Sequence, residues 1–160
     1  MPSLTSEDLE AWLRSHGIAA EVVRLHTPTA TVPAAADALG VSADQILKTV
    51  VFLAAGEPVL VVARGNERIE TRRLARHLGV GRKKVRVARP EEVLEATGYP
   101  AGAVPPCGHR RPLRTLVEAR VLHLPVAYAG GGARNALLRI TPEALLEATH
   151  AEVVTLQSPS

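Results

Sequence analysis

The segment from residue 46 to residue 63 constrains the fold most strongly, because two apolar runs separated by a turn predict a β-hairpin. Residues 46–54 and 59–63 form the runs, and Gly56-Glu57-Pro58 lies between them. Lys48 interrupts the first run. Burying an ammonium group is costly unless it finds a partner, so this lysine indicates an anionic ligand or a carboxylate nearby. An ordinary lysine on the wet face of an edge strand is the alternative.

The rest of the chain predicts short helices and strands in close alternation, which indicates a mixed α/β fold in a single domain, residues 1–160. A first helix is expected from Thr5 or Ser6 to Gly17 and a last one from Thr141 onward, because each begins with a capping residue. The other predicted helices are residues 31–39, 70–78 and 90–97, and the other predicted strands are residues 21–25, 84–88, 115–118, 126–129, 136–140 and 152–156.

Composition excludes several classes of protein. Aromatic residues make up 2% of the chain, so the core must be aliphatic, and an RNA-binding sheet of stacking aromatics is not expected. The single cysteine excludes an internal disulfide and a cysteine-based zinc site, and the six histidines lack ligand spacing, so neither a metal nor a cofactor is expected. No apolar leader or membrane-spanning run is visible, which favours a cytoplasmic location.

Positive charge is concentrated in one stretch. Residues 64–89 contain ten basic and two acidic residues, whereas the rest of the chain contains nine basic and fourteen acidic residues. Such asymmetry indicates a surface that binds a polyanion, although a solvated helix face is the alternative.

Two glycine-rich segments are candidate ligand-binding loops. Residues 98–112 contain three glycines and four prolines, and Gly130-Gly131-Gly132 separates two predicted strands. A surface loop packed by its prolines and a plain hairpin turn are the respective alternatives. Cys107 and His109 lack the geometry of a nucleophile and base, so a packed thiol is favoured. Glu118 either orients Lys48 or faces water.

Three separated motifs carry a family resemblance. They are Asp44-Gln45-Ile46-Leu47-Lys48-Thr49-Val50-Val51, then Thr97-Gly98-Tyr99 with Gly102, Val104, Pro106 and Gly108, and then Gly130-Gly131-Gly132-Ala133-Arg134-Asn135. In order and spacing they resemble the YbaK/prolyl-tRNA-synthetase-associated family, over nearly the whole chain.

The resemblance implies a curved mixed β-sheet, or partial barrel, flanked by helices. It also implies a free-standing enzyme that hydrolyses the ester of mischarged tRNA, with Cys- or Ala-tRNAPro-like substrates and a synthetase as a further partner. The substrate's own groups are expected to help activate water. Departures from the motif at Ala103-Val104-Pro105-Pro106, Glu118 and Asn135 leave the acyl group open.

The site is expected to combine Lys48, which holds the acylated 3′ adenosine, with backbone amides that stabilise the oxyanion. The amides assigned to catalysis are those of Gly98, Gly102, Gly108 and Gly131. The residues assigned to substrate and tRNA binding are Thr49, Tyr99, Pro106, Glu118, Gly130, Gly132, Arg64, Arg72, Arg73, Lys83 and Lys84. A noncatalytic tRNA- or nucleotide-binding module, or a partner domain of a synthetase, is the alternative function.

Overall fold

The computed structural model describes residues 2–26 and 31–157, which form an α+β fold of five α-helices and eight strands. The helices are α1 (Ser6–Ser15), α2 (Val32–Leu39), α3 (Thr71–Leu78), α4 (Pro90–Thr97) and α5 (Pro142–Thr149). The strands are β1 (Ala20–Arg24), β2 (Leu47–Ala54), β3 (Glu57–Arg64), β4 (Val85–Val87), β5 (Arg114–Glu118), β6 (Ala127–Gly130), β7 (Ala136–Ile140) and β8 (Glu152–Val154). Short 3₁₀ helices, which the sequence did not predict, occupy Ala43–Gln45, Arg82–Lys84 and Ala119–His123.

Capping residues set the helix boundaries. Thr5 accepts a hydrogen bond from the Asp8 amide, and the Asp8 carboxylate accepts one in return from the Thr5 amide, so α1 begins with a capping box. Thr141 caps α5 in the predicted way. Glycines 40, 79 and 98 end three of the helices in the left-handed conformation.

The predicted hairpin is formed by β2 and β3, which pair antiparallel over their full lengths. Its turn lies at Ala55-Gly56, not at residues 56–58, because Glu57 and Pro58 already belong to β3. Both turn residues have positive φ, +50° and +85°, as a tight two-residue turn between twisted strands requires.

The strands form two sheets joined at one point. The five-stranded sheet has the order β4-β2-β3-β5-β8, with β5 parallel to both of its neighbours, and the three-stranded antiparallel sheet has the order β1-β7-β6. Within the described residues, an isolated parallel bridge between Ile46 and Tyr128 connects the two sheets. The result is a curved, open arrangement flanked by helices, which confirms the predicted fold class.

The larger sheet is covered on both faces. On β3, Leu60 and Val62 contribute to the apolar cluster between the two sheets, whereas Val61 packs into a second cluster beneath α3. Successive side chains on a strand point to opposite faces, so a sheet buried on both faces has a continuously apolar strand sequence. This arrangement explains the apolar runs of the hairpin and makes Lys48 an exception within them.

Candidate active site

Lys48 lies on β2 opposite Ala63 of β3 and is partly buried. It alternates in step with Phe52 and Ala54, which pack beneath α3, so its side chain lies on that face of the sheet. Its Nζ donates a hydrogen bond to the main-chain carbonyl oxygen of Glu67. Burial lowers the pKa of Lys48, because removing the ammonium from water disfavours its charged form. Within the described residues, no carboxylate forms an ion pair with Lys48.

The carboxylate of Glu67 is occupied by two arginines. It forms ion pairs with Arg64 and with Arg120, and the three side chains are between 16% and 23% exposed. Glu67 therefore accepts a hydrogen bond from Lys48 through its carbonyl oxygen, while its carboxylate forms ion pairs with the two arginines. The Glu67 carboxylate therefore does not serve as the counter-charge of Lys48.

Glu118 is fully buried, so the alternative that it faces water is wrong. Its carboxylate accepts hydrogen bonds from the backbone amides of Arg120 at 2.9 Å, Leu156 at 2.6 Å and Gln157 at 3.2 Å. These amides account for the burial of the charge, since a buried carboxylate needs donors. Glu118 thus fixes the C-terminal segment and the backbone at Arg120, while its described partners do not include Lys48.

The two glycine-rich segments contact each other. A Cβ atom added to Gly130 would lie 2.1 Å from the Val104 carbonyl oxygen, and the Gly132 amide donates to the Ala103 carbonyl at 2.9 Å. Gly132 also approaches the backbone at Ser6, where an added Cβ would be 3.0 Å away. Glycine is needed at residue 130 because only a residue without Cβ allows this approach.

The residue two positions before Lys48 is bridged to β6, the strand that ends at Gly130. The bridge between Ile46 and Tyr128 is parallel, so the two segments run in the same direction. Lys48 lies two residues after Ile46, and Gly130 lies two residues after Tyr128. The structure therefore places the lysine, Gly130 and the Val104 carbonyl on neighbouring segments.

Some of the amides assigned to the oxyanion are already used. The Gly98 amide donates to Leu94 as part of the cap of α4, and the Gly131 amide donates to Ala136. The amides of Gly102 and Gly108 have no hydrogen bond within the described residues. Gly102 is exposed, has φ +89° and has open space at its α-carbon, so its N–H can reach a ligand.

Residues 106–108, in the second half of the loop formed by residues 98–112, line a cleft that Lys48 does not line. Pro106, Gly108 and the buried Cys107 line a cleft of about 580 Å³ together with Trp12 and His150, and Lys48 is not among its lining residues. Tyr99 is buried, and its hydroxyl donates to the Gly108 carbonyl at 3.1 Å. The structure thus gives Tyr99 a role in fixing the loop.

Cys107 has the environment of a packed thiol. It is 3% exposed, and burial raises its pKa to about 12. A thiol with this pKa holds its proton at neutral pH, so it lacks the thiolate that a nucleophile requires.

Thr49 was expected to share the site with Lys48, but it alternates with Leu47 and Val51 toward the opposite face of the sheet. Its hydroxyl oxygen is buried without a hydrogen-bond partner among the described residues. The structure therefore separates the two neighbouring side chains.

The five basic residues assigned to tRNA have different environments. Arg64 is mostly buried and paired with Glu67, and Arg73 is paired with Glu70. Arg72, Lys83 and Lys84 are exposed, and the described residues offer them no ion pair.

Sequence reasoning missed two residues of the site, Glu67 and Arg120. They lie 53 residues apart, Arg120 in a 3₁₀ helix with no recognisable motif, and the parallel pairing of β3 with β5 brings the ends of the two strands together. The apolar character of β3 and β5 indicates two buried strands in the sequence, but that pattern does not reveal an ion pair.

Fold and site together define an α+β domain with a partly buried lysine on β2 and two glycine-rich loops that contact each other. Residues 26–148 match the family model of the aminoacyl-tRNA editing domain, and the chain belongs to that family.

Relatives and solved structures agree with this assignment. YwhH, an uncharacterized protein of Bacillus subtilis, is 31% identical over 134 residues, 83% of each chain. A protein of Enterococcus faecalis provisionally named Cys-tRNA(Pro)/Cys-tRNA(Cys) deacylase EbsC is 28% identical over 124 residues, 75% of this chain and 74% of that one. A crystal structure provisionally described as a trans-editing enzyme for prolyl tRNA synthetase superposes with a TM-score of 0.89 and 35% identity, covering 96% of this chain and 97% of the other.

Two further features bear on the chemistry. Among the described residues, no cluster of three or more His, Cys, Asp and Glu side chains is placed to hold a metal ion. The helices in the described part of the chain are too short or too polar to cross a bilayer.

Proposed function

We propose that this protein is a free-standing deacylase that hydrolyses the ester between a wrong amino acid and the 3′ end of a tRNA. The observation that carries the proposal is the position of the Lys48 amine, which is partly buried, donates to a carbonyl oxygen and has no ion pair within the described residues. An ammonium group in this setting gains from binding an anion, and the terminal phosphate of an aminoacylated tRNA supplies one. Lys48 thereby anchors the acylated 3′ adenosine beside Gly130.

Hydrolysis then requires few further groups. Water adds to the ester carbonyl, the bond to the ribose oxygen breaks, and the products are a free amino acid and a ribose hydroxyl. The developing oxyanion needs N–H donors already in place. Among the four glycine amides assigned to this role, that of Gly102 is exposed and has no partner among the described residues, so it is the donor we favour.

No side-chain nucleophile enters this scheme. Cys107 is protonated and buried, and it lies in the separate cleft. We propose that groups of the substrate itself help to position the attacking water. Cys- and Ala-tRNAPro-like molecules are the proposed substrates, and the similarity to EbsC and to the trans-editing structure supports a link to prolyl-tRNA synthesis.

The test is release of amino acid from tRNAs mischarged with Ala, Cys or Ser. The wild-type protein is expected to release at least one of them faster than buffer, and Lys48→Met is expected to abolish the release. Arg14→Met is the matched control, because it removes one exposed positive charge from α1, away from the site. Release no faster than buffer across the panel would support the noncatalytic tRNA-binding module or synthetase partner instead.

A further inference from the structure

A strongly basic groove lies along α3. It has a volume of about 630 Å³, and five arginines line it: Arg68, Arg72, Arg73, Arg76 and Arg82. Glu70 is the one acidic residue in its lining. The groove, called here the arginine groove, therefore holds a large excess of positive charge.

Most of these arginines are available to a ligand. Arg73 is paired with Glu70, but Arg68, Arg72, Arg76 and Arg82 have no ion pair or side-chain hydrogen bond within the described residues. All four are exposed. Guanidinium groups that have no internal acceptor can offer their N–H donors outward, in a fork that matches phosphate oxygens.

Other arginines of the basic stretch are neutralised. Arg86 makes two hydrogen bonds of 2.8 Å to the Glu92 carboxylate, and Arg89 pairs with Glu91 and Glu92. The excess charge of residues 64–89 is thus concentrated on the groove and on the neighbouring Lys83 and Lys84.

The spacing of the groove arginines suits an extended polyanion. Arg72 and Arg76 are one helical turn apart on α3, and Arg68 lies four residues before Arg72, in the segment that leads into the helix. Residues four apart on a helix share a face and are separated by about 6 Å along its axis. A row of cations at this interval fits a chain of phosphates better than a single small anion.

The groove begins next to the proposed active site. Arg68 directly follows Glu67, whose carbonyl oxygen holds Lys48. A phosphate chain lying in the groove would therefore lead toward the lysine.

We propose that the arginine groove binds the phosphodiester backbone of the acceptor stem and directs the acylated end to Lys48. This inference rests on the proposed function. Because the contacts are to phosphates, they supply affinity and orientation without reading the base sequence.

The test compares two double variants that remove the same charge. Arg72→Gln/Arg76→Gln changes the groove, and Arg86→Gln/Arg89→Gln changes the paired arginines. The groove variant is expected to lower kcat/KM on mischarged tRNA at least tenfold, mainly through KM, and to reduce the slope of log affinity against log salt by roughly 1.4–1.8. The control is expected to change kcat/KM less than threefold.

A minimal substrate separates this inference from the proposed function. On a 3′-aminoacyl-adenosine ester without a stem, the groove variant is expected to match the wild type, because the stem phosphates are absent. The groove proposal would be overturned if both double variants lost the same factor in kcat/KM on tRNA. It would also be overturned if the groove variant lost as much kcat/KM on the minimal ester as on tRNA.

If the wild type hydrolyses neither substrate, the deacylase proposal fails, and binding of uncharged tRNA followed by fluorescence anisotropy still tests the groove. Weaker binding only in the groove variant then supports an RNA-binding groove, and unchanged binding overturns it. Circular dichroism spectra of both variants confirm that they are folded.

Discussion

Lys48 and Glu67 are joined through a main-chain oxygen and not through their opposite charges. The lysine ammonium donates to the Glu67 carbonyl, while Arg64 and Arg120 hold the Glu67 carboxylate. A direct ion pair would have neutralised the lysine and closed it to other anions. The arrangement instead fixes the amine in position without a counter-charge from Glu67, as the proposed function requires.

The stability of Lys48→Met should show that the lysine is not retained for folding. Methionine keeps the apolar stem and removes the ammonium whose burial is unfavourable, so the free energy of unfolding is expected to change by less than about 1 kcal/mol or to rise. Urea unfolding measures this quantity. A loss above about 3 kcal/mol would show that Lys48 is chiefly structural.

The same variant gives a prediction about pH. Burial holds the pKa of Lys48 below its ordinary value of 10.5, so between the two values the unfolded chain binds more protons than the folded one. The wild type is therefore expected to gain stability relative to Lys48→Met as pH rises toward 10.5. Urea unfolding of both proteins from pH 7 to 10.5 tests the sign, and a difference that stays flat or falls would contradict it.

Glu67→Gln removes the carboxylate shared by two arginines. The expected cost is about 2 kcal/mol, between the small value of an exposed pair and the larger one of a fully buried pair, because the Glu67 side chain is 20% exposed. A double-mutant cycle with Arg120→Met is the control. If the pair matters, Arg120→Met costs less in the Glu67→Gln protein than in the wild type, and strictly additive losses would exclude coupling.

Gly130→Ala should separate the two glycine-rich segments. The added methyl would meet the Val104 carbonyl at 2.1 Å, so a loss of about 1–3 kcal/mol and a strong fall in deacylation are expected. Gly81→Ala is the matched control, since an added Cβ there meets nothing within 4 Å and its φ is −65°. Wild-type stability and activity in Gly130→Ala would show that the contact between the segments is dispensable.

Cys107 is expected to resist thiol reagents in the folded protein. It is buried, and its pKa is raised to about 12, so both access and thiolate formation are suppressed. Labelling with a disulfide reagent should be slow in buffer and complete in urea, and Cys107→Ala should keep its deacylase activity. Rapid labelling together with inactivation would instead indicate a functional thiol.

The boundaries of helices and strands were predictable because they depend on neighbouring residues. Thr5, Thr141 and the glycines at helix ends act within a few residues of their own position, so the sequence displays them. The hairpin was visible for the same reason. The way in which the two sheets meet was not predictable, because it depends on the bridge between Ile46 and Tyr128, which are 82 residues apart in the sequence.

The candidate site was predictable only in part. Lys48 stands out because it breaks an apolar run, and the glycines stand out as a group. The partners of these residues are set by long-range pairing, so neither the ion pair from Glu67 to Arg120 nor the backbone amides around Glu118 could be read locally. Thr49 is predictable from local sequence, because alternation along a strand puts it on the opposite face from Lys48.

Glu118 also sets where the folded unit ends. The family match stops at residue 148, yet the buried carboxylate takes two of its three donors from Leu156 and Gln157. A chain shortened to the matched region would keep the buried Glu118 carboxylate and lose two of the three amides that donate hydrogen bonds to it. The C-terminal boundary for expression of this domain should therefore include Leu156 and Gln157, whose amides donate to Glu118, and should not be placed where sequence similarity ends.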